Sequence, residues 1–573
     1  MNKYKFNYSC PLLFFMCMMN LLVMHYVVGW TKLVLFDVTS LIDNLLGVYI
    51  DTLFMFLLTL LCTCGKLKES LSFTFILTIL ISFSNILYSH FFASYIGFSS
   101  IKQVGSLFDE LVFTSALEGV DPINVFFIVI IPFFIYVYRK CPNTLNLNAI
   151  KTLFIILVVF IVFDLVCHFS VCVITPEYRY FSYYSNRVIS RHFSNKVIVC
   201  HPELSAFYRG VLRSIAGEVC KDMQGPIELS EDQMTLISKM RHKSISSMSK
   251  KHHTTVDNVI FILVESYMSF TSDLYIDGKE ITPFLNSLRH DSLVYYNGNM
   301  KSNITLGESS DGQYTYMTGM LPLRSVITIS KARNSHIPSL SRVLNNRGMK
   351  TRMVIPTLPT VWSQDQMCRQ YGFEKLYSSN DYVGNHDKYL SDEQVFNLAM
   401  KLDAESTTPF FSMILTLSMH QPYTSIVDPS FVINDQSITS DLKNYLNACH
   451  YTDAQIAKYC KHLKDLGLFN KSLIIIASDH DVRSSNFGSE INNNIPLYVI
   501  NGSLNNYNGW QGSCNQLDVY TTILDLLGEY NYWCGLGNSL ITSSYNNSVS
   551  DLTWEVSELL LLSRYFDNYI INE

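Results

Sequence analysis

Five long runs within the first 176 residues are almost free of charge, and they constrain this chain more than any other feature. Residues 11–29 contain no Asp, Glu, Lys or Arg, and residues 45–65 contain only Asp51. Residues 70–100 and 122–138 are uncharged, and residues 152–175 contain only Asp164. About 20 mostly apolar residues in helical form cross the hydrocarbon of a bilayer, and lipid offers no partner to an unpaired backbone group. Each run is therefore expected to be a membrane-spanning helix. The first is read as a span rather than a cleaved signal peptide, because no small-x-small pattern follows it. Charged residues make up 16% of the chain, against about 25% in a typical soluble protein. The deficit is concentrated in these runs.

The basic residues beside the runs predict an orientation. Lys3, Lys5, Lys66, Lys68, Arg139, Lys140 and Lys151 fall on one side of a five-span path, and the alternate loops hold only Lys32 and Lys102. Short basic loops stay in the cytoplasm. The N-terminus is thus expected to be cytoplasmic, and everything after about residue 176 to lie outside. Asp164 and His168 sit one helical turn apart in the fifth run. An intramembrane ionisable pair is either functional or a satisfied helix contact, and neither residue is assigned a role.

Residues 1–176 are read as a transmembrane domain of five helices. Residues 177–256 are read as a connector with helices along the membrane face, with helical spacing around 205–220 and 230–240. Residues 257–545 are read as a globular domain, and 546–573 as a helical tail. The net charge of -6 gives no basic footprint, so nucleic acid is not an expected partner. Seven of the 14 cysteines lie beyond the last run, on a side where disulfides can persist.

From Asn258 onward, short apolar runs alternate with helical stretches. Strands are expected at 259–264, 351–355, 410–417, 473–477 and 496–500, with helices at 282–288, 313–320, 339–347, 440–466 and 517–527. That alternation predicts an α/β domain, a mostly parallel sheet sandwiched by helices. Such sheets bind ligands beyond the carboxyl ends of their strands. Glu265 follows the first of these strands, His420 lies just past the 410–417 strand, and Asp479 and His480 follow the 473–477 strand. Carboxylates with an imidazole suit a divalent cation. Ser309, in Gly307-Glu308-Ser309-Ser310-Asp311-Gly312 just before a helix, is the candidate nucleophile. A hydroxyl needs activation, which a metal supplies, and a helix N-terminus offers amide donors to an anion. The competing reading of Ser309 or Ser310 is a helix N-cap.

In order and spacing, these segments resemble the alkaline phosphatase/sulfatase superfamily, most closely its lipoteichoic acid synthase and phosphoglycerol transferase branch. The matching pieces are Val264-Glu265-Ser266, Thr282-Pro283-Phe284-Leu285-Asn286, Gly307 through Asp311, and Trp362 with Tyr371-Gly372-Phe373. Leu417 through Pro422, Ser478-Asp479-His480 and Leu517 through Gly528 complete the order. The resemblance covers about residues 255–530. It implies a membrane-anchored transferase of the bacterial cytoplasmic membrane with its catalytic domain outside. Glu265, Asp479, His480 and Ser309 would ligate one divalent ion, manganese by the resemblance. Ser309 would carry a phosphoglycerol or related head group taken from a membrane phospholipid and pass it to a glycan or lipid acceptor. His420 would bind the head group or act as acid/base, and Trp362 would line the pocket.

Gln364 stands two residues after Trp362, where the branch often has Arg, so one cation toward the phosphate is missing and the head group is open. Asp481 stands where many relatives have Gly or an aromatic. A phosphoethanolamine transferase acting on lipid A or a glycan is one alternative. A sulfatase is a second, but its Pro and Arg two and four residues after the nucleophile are here Asp311 and Gln313. A membrane-tethered binding module without catalysis is the third.

Overall fold

The computed structural model describes residues 9–568, apart from 31–37, 93–94, 99–100, 102–121, 142–150, 152–154, 156–157, 160–201, 223–225, 251–253, 385–388, 422, 424–427, 483–486, 488–490 and 505–508 and single positions 325, 334 and 543. The chain divides into two compact units. The first comprises Met1–Gln224 with Arg324–Val326, and the second comprises Gly225–Leu323 and Ile327–Glu573.

Among the described residues, the first unit contains three helices long and apolar enough to cross a membrane, Ser9–Trp30, Ser40–Cys62 and Leu67–Ser89, and a shorter apolar helix, Pro122–Tyr138. The fifth expected span, with Asp164 and His168, lies outside the described residues. In hydrocarbon, helices gain little from burying Leu against Leu, so polar groups and close approach hold them together. Asn20 Nδ2 donates to Thr78 Oγ1 at 3.0 Å, and Ser82 Oγ donates to the Asn20 carbonyl at 2.9 Å. Thr59 and Thr74 hydroxyls meet at 2.8 Å. Two further helices, Pro202–Arg209 and Val211–Asp222, complete this unit. The Asp51 carboxylate accepts the Leu212 amide at 3.1 Å, an anion at a helix N-terminus.

The second unit is built on an eight-stranded sheet. Its strands are β1 (Asn258–Val264), β4 (Val294–Lys301), β5 (Lys350–Val354), β6 (Lys375–Tyr377), β7 (Phe410–Leu415), β8 (Ser472–Ser478), β9 (Asn494–Ile500) and β10 (Cys514–Asn515). A separate hairpin pairs β2 (Tyr275–Ile276) with β3 (Lys279–Glu280). The sheet order is β10-β4-β9-β8-β1-β7-β5-β6. Strands β8, β1, β7, β5 and β6 run parallel, while β9 is antiparallel to both β8 and β4. The sheet is mostly parallel, as expected.

Central strands β1, β7 and β8 are buried at every residue, which explains their continuous apolar sequences. Ile260 and Ile262 join a core with the Asp392–Ala404 and Ser440–Asp465 helices. Phe261, on the opposite face, meets Tyr316 of the Ser309–Thr318 helix with ring centroids 5.2 Å apart. Period-2 alternation thus covers both faces with helices. The helices Glu231–Ser247 and Asp551–Leu562 also belong to this unit. Among the described cysteines, Cys368, Cys449, Cys460, Cys514 and Cys534 are buried free thiols.

Candidate metal centre

Parallel neighbours β1 and β8 end together, with Val264 in register with Ser478. The residues that follow, Glu265, Asp479 and His480, therefore emerge side by side. One ligand atom from each lies within 4.8 Å of the others. His480 Nε2 is 3.6 Å from Glu265 Oε1 and 3.5 Å from Asp479 Oδ2.

Each of the three is held from behind. Asp479 Oδ1 accepts the amides of Ser266 and His480, both at 2.8 Å, which leaves Oδ2 toward the imidazole. The Glu265 amide donates to Thr416 Oγ1 at 3.0 Å, and Ser266 Oγ donates to Glu265 Oε1 at 2.8 Å. His480 Nδ1 donates to the Asp481 carbonyl at 2.9 Å, so in the neutral ring Nε2 is the free lone pair facing the carboxylates.

Ser309 completes the cluster from the other side. Its Oγ lies 3.1 Å from His480 Nε2 and 3.3 Å from Glu265 Oε2. The N-cap of its helix is Glu308, with no side-chain cap bond, and Ser310 Oγ donates to the Gly307 carbonyl at 2.6 Å. Neither serine side chain is engaged as an N-cap. Glu308 has φ +45°, and Ser266 has φ +49°; non-glycine residues in this region cost free energy and collect at functional sites.

The electrostatics call for a cation. Burial, then the neighbouring Asp479 charge, pushes Glu265 up to about 8. Burial works against a charged imidazole at His480, but the carboxylates of Asp479, Glu265 and Glu308 outweigh it and push His480 up to about 9. Buried carboxylates retain protons when no cation offsets them. Two carboxylates, an imidazole nitrogen and a hydroxyl form a donor set that suits a divalent ion of the manganese or zinc type. The residues fit such an ion.

Trp362 and His420 stack at 5.5 Å between ring centroids. Trp362 and Ser363 both adopt left-handed conformations, with φ +48° and +58°. His420 Nδ1 lies 2.6 Å from the Gln421 carbonyl, and burial holds its pKa below the usual histidine range. Gln364 begins the Gln364–Tyr371 helix and is 4% exposed, and among the described residues its Oε1 has no hydrogen-bond partner. Asp481 reaches the cluster through its carbonyl alone among the described contacts.

Sequence reasoning missed a supporting layer. Gly312 lies against Asp479, where an added Cβ would be 2.1 Å from the Asp479 carbonyl oxygen. Gln516 Nε2 donates to that same carbonyl at 2.6 Å. A glycine inside a helix was the available signal for the first, since such residues mark close backbone approach.

Residues 257–529 match the sulfatase family model. The lipoteichoic acid synthase of Staphylococcus saprophyticus is 23% identical over 503 residues, covering 83% of this chain and 75% of that protein. Lipoteichoic acid synthase 2 of Bacillus subtilis is 31% identical over 229 residues, 39% of this chain and 35% of that protein. The crystal structure of the lipoteichoic acid synthase LtaP from Listeria monocytogenes aligns with a TM-score of 0.46 at 18% identity, covering 59% of this chain and 98% of that one. Family match and relatives together define a phosphotransferase. Residues 257–529 thus read as a sulfatase-type domain, and the relatives similar to this chain over most of its length are lipoteichoic acid synthases.

Proposed function

We propose that this chain transfers the phospho-head group of a membrane phospholipid, phosphoglycerol by analogy with its relatives, to a glycan or lipid acceptor through a covalent intermediate on Ser309. The observation that carries this reading is the placement of Ser309 Oγ within 3.3 Å of both Glu265 and His480 at the N-terminus of a ten-residue helix. Glu265, Asp479, His480 and Ser309 would hold one divalent ion, manganese on this reading, which would polarise the phosphate oxygen and lower the pKa of the serine hydroxyl. Ser309 Oγ bonds to phosphorus as the bond to diacylglycerol breaks. The acceptor hydroxyl then displaces Ser309. His420, kept neutral by burial and donating through Nδ1, offers Nε2 to the proton of that hydroxyl. Trp362 and Gln364 line the head-group end.

On this reading five helices span the cytoplasmic membrane, with the N-terminus inside and the catalytic domain outside, beside its lipid donor. A phosphoethanolamine donor is the second reading. It is favoured by the uncharged Gln364 with its free acceptor oxygen, which suits an ammonium donor better than an anion. Diacylglycerol release by the purified full chain from vesicles of phosphatidylglycerol or phosphatidylethanolamine separates the two. Release by a Ser309→Ala variant at the wild-type rate would remove the covalent route.

A further inference from the structure

We infer that Gln516 is a positioning residue that locks the candidate metal ligand Asp479 to the loop carrying Ser309. The inference rests on the metal-site reading above and extends it to a residue without an assigned role.

Gln516 is the first residue of the Gln516–Leu527 helix and is fully buried. Its side-chain amide works in two directions. Nε2 donates to the Asp479 carbonyl at 2.6 Å, while Oε1 accepts the Asn303 amide at 2.7 Å. Asn303 returns the contact, its Oδ1 accepting the Gln516 backbone amide at 3.1 Å. Asn303 lies six residues before Ser309, on the segment that enters the Ser309–Thr318 helix. One side chain therefore joins the metal-ligand loop after β8 to the nucleophile segment after β4.

A carboxamide does both without a change of protonation. Among side chains of this length, ionised Glu lacks the donor, and Leu or Met lacks both groups. The bond also explains how the Asp479 carbonyl withstands its surroundings. The Gly312 backbone approaches it so closely that an added Cβ would lie 2.1 Å from the oxygen, and the Asp479 amide is already committed to Val264 O at 3.1 Å. Partners of this kind orient metal ligands although they never touch the ion.

The test uses the full chain in detergent, with Mn2+ alone as the probe. Mn2+ affinity by equilibrium dialysis, thermal unfolding of the metal-free protein and the KM and kcat of head-group release are compared for wild type, Gln516→Glu and Gln516→Leu. The expected result is a Mn2+ Kd raised about 10–100-fold in both variants, with kcat reduced and KM for lipid unchanged. A merely structural residue would lower the unfolding temperature and leave the Kd alone. Variant Kd values within about twofold of a wild type that binds Mn2+ overturn the inference. Absence of Mn2+ binding by the wild type overturns the metal reading and this inference with it. Should both variants fail to fold, Gln516→Asn keeps a carboxamide but is one methylene too short to span the Asp479 carbonyl and the Asn303 amide together. A raised Kd supports the lock, and an unchanged Kd overturns it.

Discussion

Gly312→Ala is the most revealing single substitution. In a helix interior this change normally stabilises by about 0.5–1 kcal/mol, because glycine loses more conformational freedom on folding. Here the new Cβ would lie 2.1 Å from the Asp479 carbonyl oxygen and 2.9 Å from its carbon. Carbon–oxygen contacts settle at about 3.3–3.6 Å, so one side must retreat by roughly 1 Å. The Asp479 backbone is held by Val264 and Gln516. The helix is held by Tyr316, whose hydroxyl donates to the Ser478 carbonyl at 2.7 Å. Whichever side yields, the 3.1 Å contact of Ser309 with His480 opens. Overpacking costs about 1–3 kcal/mol, enough to reverse the sign of the usual effect. A displacement near 1 Å at a reacting group costs about 10²-fold in rate. The expectation is a lower unfolding temperature for the full chain and about a hundredfold slower diacylglycerol release. An unfolding temperature at or above wild type with an unchanged rate would refute the argued contact between nucleophile helix and metal-ligand loop.

Other expectations follow from separate parts of the molecule. Arg352 forms a buried pair with Asp403, whose other oxygen accepts Tyr459 OH at 2.8 Å; Arg352→Met leaves that carboxylate uncompensated and is expected to cost about 3–5 kcal/mol by denaturant titration, with activity per folded molecule retained. His420 has a folded pKa below its unfolded value, because burial disfavours the charged ring. The unfolded chain therefore binds more protons between the two values, and stability falls as pH drops below about 6.5. Unfolding temperatures of His420→Asn are expected to decline less steeply over that window. Metal at 100 times its Kd stabilises the native state by about 2.7 kcal/mol, so chelation is expected to lower the unfolding temperature and manganese to restore it; a scan indifferent to both would speak against the site.

The parts of this fold that were legible in the sequence are those where local and tertiary forces agree. Ile474-Ile475-Ile476 reads as a doubly buried strand and forms the middle of β8. Glu265, Asp479 and His480 stood out because parallel strands deliver chemistry at their carboxyl ends. Strand β4 did not stand out. Asn297, Gly298 and Asn299 interrupt its pattern, and its register shifts between Asn297 and Met300. The polar Asn297 is tolerated there because Trp510 and Gly512 carbonyls accept its amide at 3.1 and 3.0 Å, partners far away in the chain. The Asp392–Ala404 helix carries a readable signal, the Ser391–Gln394 capping box, which the apolar pattern alone overlooked. Gln516 had no such signal, since its role exists only once β8 and the segment after β4 have folded together.

The central claim is that Ser309 carries the head group covalently. Mass spectrometry of the peptide containing Ser309, after brief exposure of the full chain to phospholipid vesicles and acid quenching, tests it most directly. The account predicts a phosphoglycerol or phosphoethanolamine adduct on Ser309 that disappears when an acceptor is supplied. An unmodified Ser309 under conditions where the same sample releases diacylglycerol would contradict it.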